Sequence, residues 1–382
     1  MKLAIVRQAW NPHGGAERFI DSALAALAAE DDLELTVIAR TWQPRAGVRF
    51  IACNPPYRTS WGRDRGFARA VAEVLGRPGV HFDIVQSHER IPGMMLFRAG
   101  DGVHATWLEQ RARTLPAWRR ASIALNPHHR RLLEVERRMF THPALRMVIC
   151  NSAMVRDDIA ARFGTPAARL TVIHNGVDLE RFHPRLREGR AAVRAALDTP
   201  GDAPVFLYVG SGFERKGVAR LLQALAAAPP GCHAWIAGRD KRAARYQELA
   251  QRLGLAARVR FLGGRDDLPQ LYGAADAFVL PTLYDPMPNA ALEALAAGLP
   301  VVTTQQSGAR ELVRDGGNGF VLDVLDQPGL ARALALLAAP GRAAAMGDAA
   351  RGAVTHLHPA AMAARLTALY RQLRPAPAAA TA

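Results

Sequence analysis

The sequence predicts an α/β protein of two doubly wound domains, each built on a mostly parallel sheet. Short apolar, β-branched runs alternate with amphipathic helical stretches along the chain, the pattern of strands connected through crossover helices. That pattern restarts after Pro200-Gly201-Asp202, a turn-forming break. At 382 residues the chain is long enough for two cores of ordinary size.

In the first half, strands are expected at residues 3–6, 35–39, 48–52, 83–86, 95–98 and 147–150, with helices between them, notably at 16–29 and 153–163. A short strand at 170–173 precedes His174-Asn175-Gly176-Val177-Asp178, whose turn-forming residues suit an interdomain connection. In the second half strands are expected at 205–209, 233–237, 259–262, 277–280 and 301–303, with a helix at 218–227. Helical material follows from about 329 to 373, and residues 374–382 read as a disordered tail. The expected division is 1–168 and 169–355, with the last helix, about 356–373, packing back on the first domain.

Composition is that of a soluble globular protein: 49% hydrophobic, 22% charged, and no apolar run long enough to span a bilayer. The opening Met1-Lys2-Leu3-Ala4-Ile5-Val6-Arg7 reads as a buried strand rather than a leader, which points to the cytoplasm. Cys53, Cys150 and Cys232 are widely separated and suit reduced thiols. A net charge of +15 favours polyanionic partners: nucleic acid, an anionic membrane surface or a phosphorylated glycolipid. No zinc-finger spacing or aromatic-basic RNA motif is present, so no nucleic acid partner is expected.

Three segments have the makings of a site. Asn11-Pro12-His13-Gly14-Gly15-Ala16-Glu17-Arg18 lies between the first strand and the first helix, at the sheet edge where open α/β sheets bind ligands. Gly14 and Gly15 let the backbone approach a phosphate or sugar, although an ordinary tight turn would use the same residues. Val209-Gly210-Ser211-Gly212-Phe213-Glu214-Arg215-Lys216-Gly217 occupies the corresponding place in the second half. Arg215 and Lys216 suit a diphosphate, the first as a planar fork of donors and the second as a compact charge. After the strand at 277–280 come Asp285 and, one turn inside a helix starting near Asn289, Glu293. Carboxylates suit sugar and ribose hydroxyls, and the amides of Asn289, Ala290, Ala291 and Leu292 would offer a diphosphate a helix N-terminus.

These segments, in this order and at equivalent positions, resemble the retaining glycosyltransferases of family 4, which have the GT-B fold: two Rossmann-like domains facing each other across a cleft. The resemblance covers nearly the whole chain and is strongest in the second half, in the Arg-Lys pair, the Gly-Arg-Asp-Asp stretch at 264–267 and the acid-x7-acid element. The loop at 210–218 looks most like that of the lipopolysaccharide core glucosyltransferase I group. The resemblance implies that Gly15 lies near the donor phosphates, that Gly210, Arg215 and Lys216 line the diphosphate, and that Arg181 contacts the donor. It places Arg265 beside the base and Glu293 on the ribose. Asp285 stands where the family usually has Glu, which puts the sugar preference in question. Asp101, in Gly100-Asp101-Gly102, matches an acid beside the reacting sugar, with His104 as a neighbour. A plain turn role for Asp101 also fits.

The implied chemistry is retaining transfer from a nucleotide diphosphate-sugar, UDP-glucose first, to a heptose of the lipopolysaccharide inner core on the cytoplasmic membrane face. Arg215 and Lys216 would stabilise the leaving diphosphate, with Asp285 and Asp101 orienting donor sugar and acceptor. The sequence has no Asp-x-Asp element of the metal-binding kind, so neither metal nor cofactor is expected. Alternatives are the same chemistry on a polyprenyl-linked or phosphatidylinositol-type glycolipid, a UDP-sugar epimerase of similar architecture, and a non-catalytic carbohydrate- or nucleic-acid-binding module. Between His104 and Phe140, Arg111, Arg113, Arg119, Arg120, Arg130 and Arg131 interleave with Trp107 and Trp118. That mixture suits an anionic lipid surface on the acceptor side, against the alternative of a solvated helical face.

Overall fold

A computed structural model describes residues 1–8, 33–43 and 46–374. The expected helix at 16–29, with Gly14 and Gly15 before it, lies outside these residues. The chain divides into two compact units. The first comprises the described residues of Met1–Ala105, Pro116–Gly176 and Pro359–Ala382, and the second Thr106–Leu115 and Val177–His358.

In the first unit β1 (Lys2–Val6), β2 (Glu34–Ala39), β3 (Val48–Ala52), β4 (Ile84–Ser87), β5 (Leu96–Ala99), β6 (Met147–Cys150) and β7 (Leu170–Val172) form one parallel sheet. Their order is β3-β2-β1-β4-β5-β6-β7, so the winding reverses between β1 and β4. Alternation along β1 sets the two faces. Leu3 and Ile5 point to the core that contains Met362, Leu366, Leu369, Tyr370 and Leu373 of the helix Pro359–Leu373. Ala4 and Val6 point the other way, to Phe67, Val71 and Val74 of the helix Ser60–Leu75. Thr59 caps that helix, its hydroxyl accepting from the Gly62 amide at 3.0 Å.

In the second unit β8 (Val205–Val209), β9 (His233–Ala237), β10 (Val259–Gly263), β11 (Ala277–Val279), β12 (Val301–Thr304) and β13 (Gly319–Leu322) pair in parallel in the order β10-β9-β8-β11-β12-β13. The winding again reverses beside the unit's first strand, between β8 and β11. In open sheets of this kind ligands bind outside the carboxyl ends of the strands at that reversal. The strand β13 is an addition to the sequence reading, which ended the sheet at 301–303.

One buried arginine ties the segment before β8 to the sheet. Arg194, on the helix Arg190–Ala196, is 1% exposed. Its guanidinium donates to the carbonyls of Ala274, Pro200, Gly201 and Ala203 at 2.7–3.2 Å and to Asp276 Oδ2 at 2.8 Å. Asp276 also accepts from Arg190 Nη2 at 2.7 Å and from the Val205 amide at 2.8 Å, which sets the start of β8.

Candidate active site

The loops after β8 and β11 flank the reversal in the second sheet, and they meet. The carbonyl of Arg215 accepts from the Leu283 amide at 2.8 Å and the Thr282 hydroxyl at 3.0 Å, so the basic loop is bound to the acidic one through backbone. Lys216 Nζ lies 3.1 Å from Asp285 Oδ2, and Arg215 Nη1 lies 3.9 Å from the same oxygen. Arg215 Nη1 also donates to the Tyr284 carbonyl at 3.1 Å. Asp285 is buried and Lys216 nearly so, whereas Arg215 is 38% exposed. Two cations thus surround one carboxylate, leaving one surplus positive charge. Asp285 serves here as the partner of the cations, an addition to the sugar-orienting role expected from sequence.

Glycines make this loop possible. The Lys216 chain crosses Gly210 so closely that a Cβ there would sit 2.6 Å from Lys216 Cδ. Gly217 has φ +79°, and a Cβ on it would lie 1.9 Å from the Pro281 carbonyl oxygen. Gly217→Ala is therefore expected to destabilise the protein by roughly 1–3 kcal/mol, read as a lower urea midpoint.

Glu293 lies in the helix Asn289–Ala296 and is 5% exposed. The buried Tyr272 hydroxyl stands 3.0 Å from Glu293 Oε2 and 3.0 Å from the Ala290 carbonyl, fixing the carboxylate against the first turn. Two of the four amides expected to face a diphosphate are engaged within the turn itself. The N–H groups of Ala291 and Leu292 donate to the Pro288 carbonyl at 3.0 and 3.4 Å, because the helix closes tightly on the residue before it. Arg265 is paired with Asp267 through Nε at 2.7 Å and is partly exposed. Arg181 is exposed, and its guanidinium sits 5.6 Å from the Phe182 ring centre. Neither arginine makes a described contact with the Arg215–Lys216 pair.

Several contributors escaped the sequence reading. Asp240, after β9, accepts from the Phe213 amide at 2.7 Å, and the Ser211 hydroxyl accepts from the Arg239 amide at 3.2 Å, so a third loop braces the basic one. Glu214 accepts from Arg111 Nε at 2.9 Å and Arg242 Nη2 at 2.7 Å. Burial works to raise the Glu214 carboxyl, but those two hydrogen bonds and charges prevail and hold it below the usual range. Arg113 pairs with Asp323 at 3.0 Å. Arg111 and Arg113, which belong to the second unit, thus spend their charge on carboxylates of that same unit. A loop directly following a strand at the sheet's carboxyl edge was the available signal for Arg239 and Asp240.

In the first unit the loops after β1, β4 and β5 converge. Asp101 is exposed. Glu89 accepts from the Gln8 amide at 2.9 Å and lies 3.5 Å from Arg7. Burial pushes the Glu89 carboxyl up, Arg7 and the Gln8 amide oppose it, and the Asp101 charge adds to the rise. Glu89 was not singled out from sequence. His104 Nε2 lies 3.2 Å from His129 Nδ1, and burial, Arg90 and the neighbouring imidazoles push His104 down to about 3 from 6.5. Between those values the unfolded chain binds a proton that the folded chain refuses. Stability contributed by the neutral ring is therefore intact above pH 6.5 and lost as pH falls through the window. His104→Asn should flatten the acid limb of stability between pH 6.5 and 4, by at most about 1.4 kcal/mol per pH unit and less because the ring is partly exposed. Urea midpoints against pH check this.

The basic stretch forms three helices, of which Ala117–Leu125 and Pro127–Phe140 lie in the first unit, whereas Thr106–Leu115, with most of the helix His104–Arg113, belongs to the second. Ala117–Leu125 buries none of its residues; Trp118 and Leu125 are about 70% exposed, and the Arg119 guanidinium covers the Trp118 ring at 4.7 Å. Arg120 and Arg130 are exposed, Arg131 lies 5.4 Å from the Trp61 ring centre, and Trp107 is half-buried. Among the described residues, no helix is long and apolar enough to cross a membrane.

Two parallel-sheet, Rossmann-like units of this build are the α/β architecture of the GT-B fold. A crystal structure of WaaG, described as a glycosyltransferase involved in lipopolysaccharide biosynthesis, superimposes with a TM-score of 0.83 at 24% identity, covering 96% of this chain and 99% of that one. The profile "Glycosyltransferase Family 4" matches residues 13–181 and "Glycosyl transferases group 1" matches 189–352. The chain belongs to the family 4 glycosyltransferases. Among relatives, the lipopolysaccharide core biosynthesis glycosyltransferase LpsE of Rhizobium meliloti is 42% identical over 38% of this chain and 42% of its own length. The lipopolysaccharide glucosyltransferase WaaG of Escherichia coli is 26% identical over 84% of this chain and 85% of its own. A D-inositol 3-phosphate glycosyltransferase of Streptomyces avermitilis is 30% identical over 75% and 67%. Family membership sets the chain among transferases rather than epimerases.

Proposed function

We propose that the protein transfers a hexose, with UDP-glucose as donor, to a heptose of the lipopolysaccharide inner core, with retention of configuration and without a metal. The observation that carries the reading is the Arg215–Lys216 pair held against Asp285 at the reversal of the second sheet. Its surplus positive charge is available to a leaving diphosphate, which needs no metal for neutralisation and can itself take the acceptor proton. Asp285 and Glu293 supply acceptors for hydroxyls, and the positive end of the helix at Asn289, Ala290, Ala291 and Leu292 favours the phosphate; Arg181, Arg265, Gly15 and Gly210 complete the donor-side assignment. Asp101 serves the acceptor side. Lipopolysaccharide core as the acceptor draws on the names of LpsE and WaaG. Docking on the anionic inner face of the cytoplasmic membrane draws on Ala117–Leu125, a helix with no buried residue and with exposed Trp, Leu and Arg.

A second reading, transfer to an inositol-phosphate type of acceptor, is favoured by the Streptomyces relative. One set of measurements separates them. UDP-, GDP- and ADP-hexoses are screened by thermal shift, in which a bound donor raises the melting temperature. Transfer is then assayed on heptose-terminated core and on inositol phosphate, with and without EDTA, and the product anomer is read by NMR. Stabilisation by UDP-hexoses, EDTA-resistant transfer to the heptose and an α-linked product are expected. No stabilisation by any UDP-hexose overturns the donor, and transfer to inositol phosphate alone overturns the acceptor.

A further inference from the structure

Glu136 is an acid that neither the sequence reading nor the proposed chemistry uses. It lies on the inner face of the helix Pro127–Phe140 and is 1% exposed. A buried carboxylate is costly unless its oxygens are occupied, and these are. Glu136 Oε1 accepts from the His104 amide at 2.8 Å and from Arg90 Nε at 3.1 Å; Oε2 stands 3.1 Å from the His104 amide and 3.3 Å from that of Ala105. His104 and Ala105 open the helix His104–Arg113, so the cap of this helix comes from a residue 32 positions along the chain rather than from its own N-cap.

Arg90 completes the arrangement. Its Nη2 donates to the Gly102 carbonyl at 2.9 Å while its Nε bonds Glu136, so one ion pair grips the backbone of 102–105 from two directions. On the other side of Asp101, Asn151 Nδ2 donates to the Gly100 carbonyl at 3.2 Å. The Asp101 turn is thereby fixed at both ends by side chains from elsewhere in the unit. Opposite Glu136, the same helix presents Arg130, Arg131, Arg137 and Arg138 to solvent.

We propose that Glu136 is a positioning residue that sets where Asp101 and His104 stand for transfer, and that it links this turn to the basic helix on whose inner face it lies. The inference rests on the acceptor-side role given to Asp101 above. It says that a displacement of the basic helix moves the reacting turn directly, since one buried carboxylate joins them.

The test uses full-length Glu136→Ala and Glu136→Gln. Hydrogen exchange followed by mass spectrometry should show protection of the peptide spanning 100–106 falling about tenfold in the alanine variant, with the β1, β5 and β6 peptides unchanged, since the loss is confined to the helix cap and its Arg90 pair. Transfer from UDP-glucose to heptose-terminated core should fall roughly tenfold or more in kcat/KM for the acceptor, as expected for a displaced reacting group. Hydrolysis of UDP-glucose without acceptor should stay within about twofold of the parent, and Glu136→Gln, which keeps an oxygen for the amides, should recover part of the loss. Loss of protection throughout the first unit, or equal falls in transfer and hydrolysis, would reduce Glu136 to a general brace and overturn the proposal. Unchanged protection at 100–106 overturns it as well. A parent protein that does not turn over UDP-glucose refutes the donor assignment instead, and the exchange measurement still decides the role of Glu136.

Discussion

Lys216→Ala is expected to lower kcat by about 10²–10³-fold while leaving the fold intact, the scale seen when one preorganised group facing a developing charge is removed. The ammonium is the nearer of the two cations to Asp285, at 3.1 Å against 3.9 Å for Arg215. Removing it takes the cluster from one surplus positive charge to none. Charge that builds on a departing diphosphate then meets only the half-exposed Arg215, in a setting where water screens it more. Lys216→Arg should restore little, because the side chain must pass over Gly210 with almost no clearance and a planar guanidinium is bulkier than an ammonium. Steady-state kinetics with UDP-glucose reads both variants. A loss of less than about threefold would remove Lys216 from the chemistry, being far below the expected scale.

Arg194→Met should cost about 3–5 kcal/mol of stability, the range for breaking a buried charge pair from one side. The guanidinium is almost wholly buried, its charge answered by Asp276 and its other N–H groups by four backbone carbonyls. A methionine matches the volume of the stem but leaves those acceptors and part of Asp276 unsatisfied. Chemical denaturation would detect the loss as a lower midpoint. A change below about 1 kcal/mol would mean that water takes over the role of the guanidinium, since an unmet buried acceptor alone costs that much.

The strands were largely legible because parallel strands buried on both faces read as continuous apolar runs. Met147–Cys150, Val205–Val209 and His233–Ala237 lie where their β-branched and aromatic residues put them. The strand Gly319–Leu322 was missed: it is a four-residue edge strand behind Asp315-Gly316-Gly317-Asn318, whose composition reads as loop. The Arg215, Lys216 and Asp285 cluster was legible as residue types after strands, since sheet topology dictates that such loops gather at one edge. What local pattern could not carry were partners distant in sequence. Tyr272 on Glu293, Glu136 on His104 and Arg111 on Glu214 are separated by 21, 32 and 103 residues. The Asp285–Lys216 pairing was hidden for the same reason, as spacing shows which residues share a loop but not which loops touch.

The helix Pro359–Leu373 has a consequence for how the molecule is made. Its Met362, Leu366, Leu369, Tyr370 and Leu373 belong to the same core as Leu3, Ile5, Leu35 and Val37. On the ribosome, the opening strands emerge early and this helix only after the whole of Val177–His358. The later-made unit can therefore complete its core before the earlier one, reversing the usual vectorial order, because the core around Leu3 and Ile5 gains this helix only after the second unit has been made.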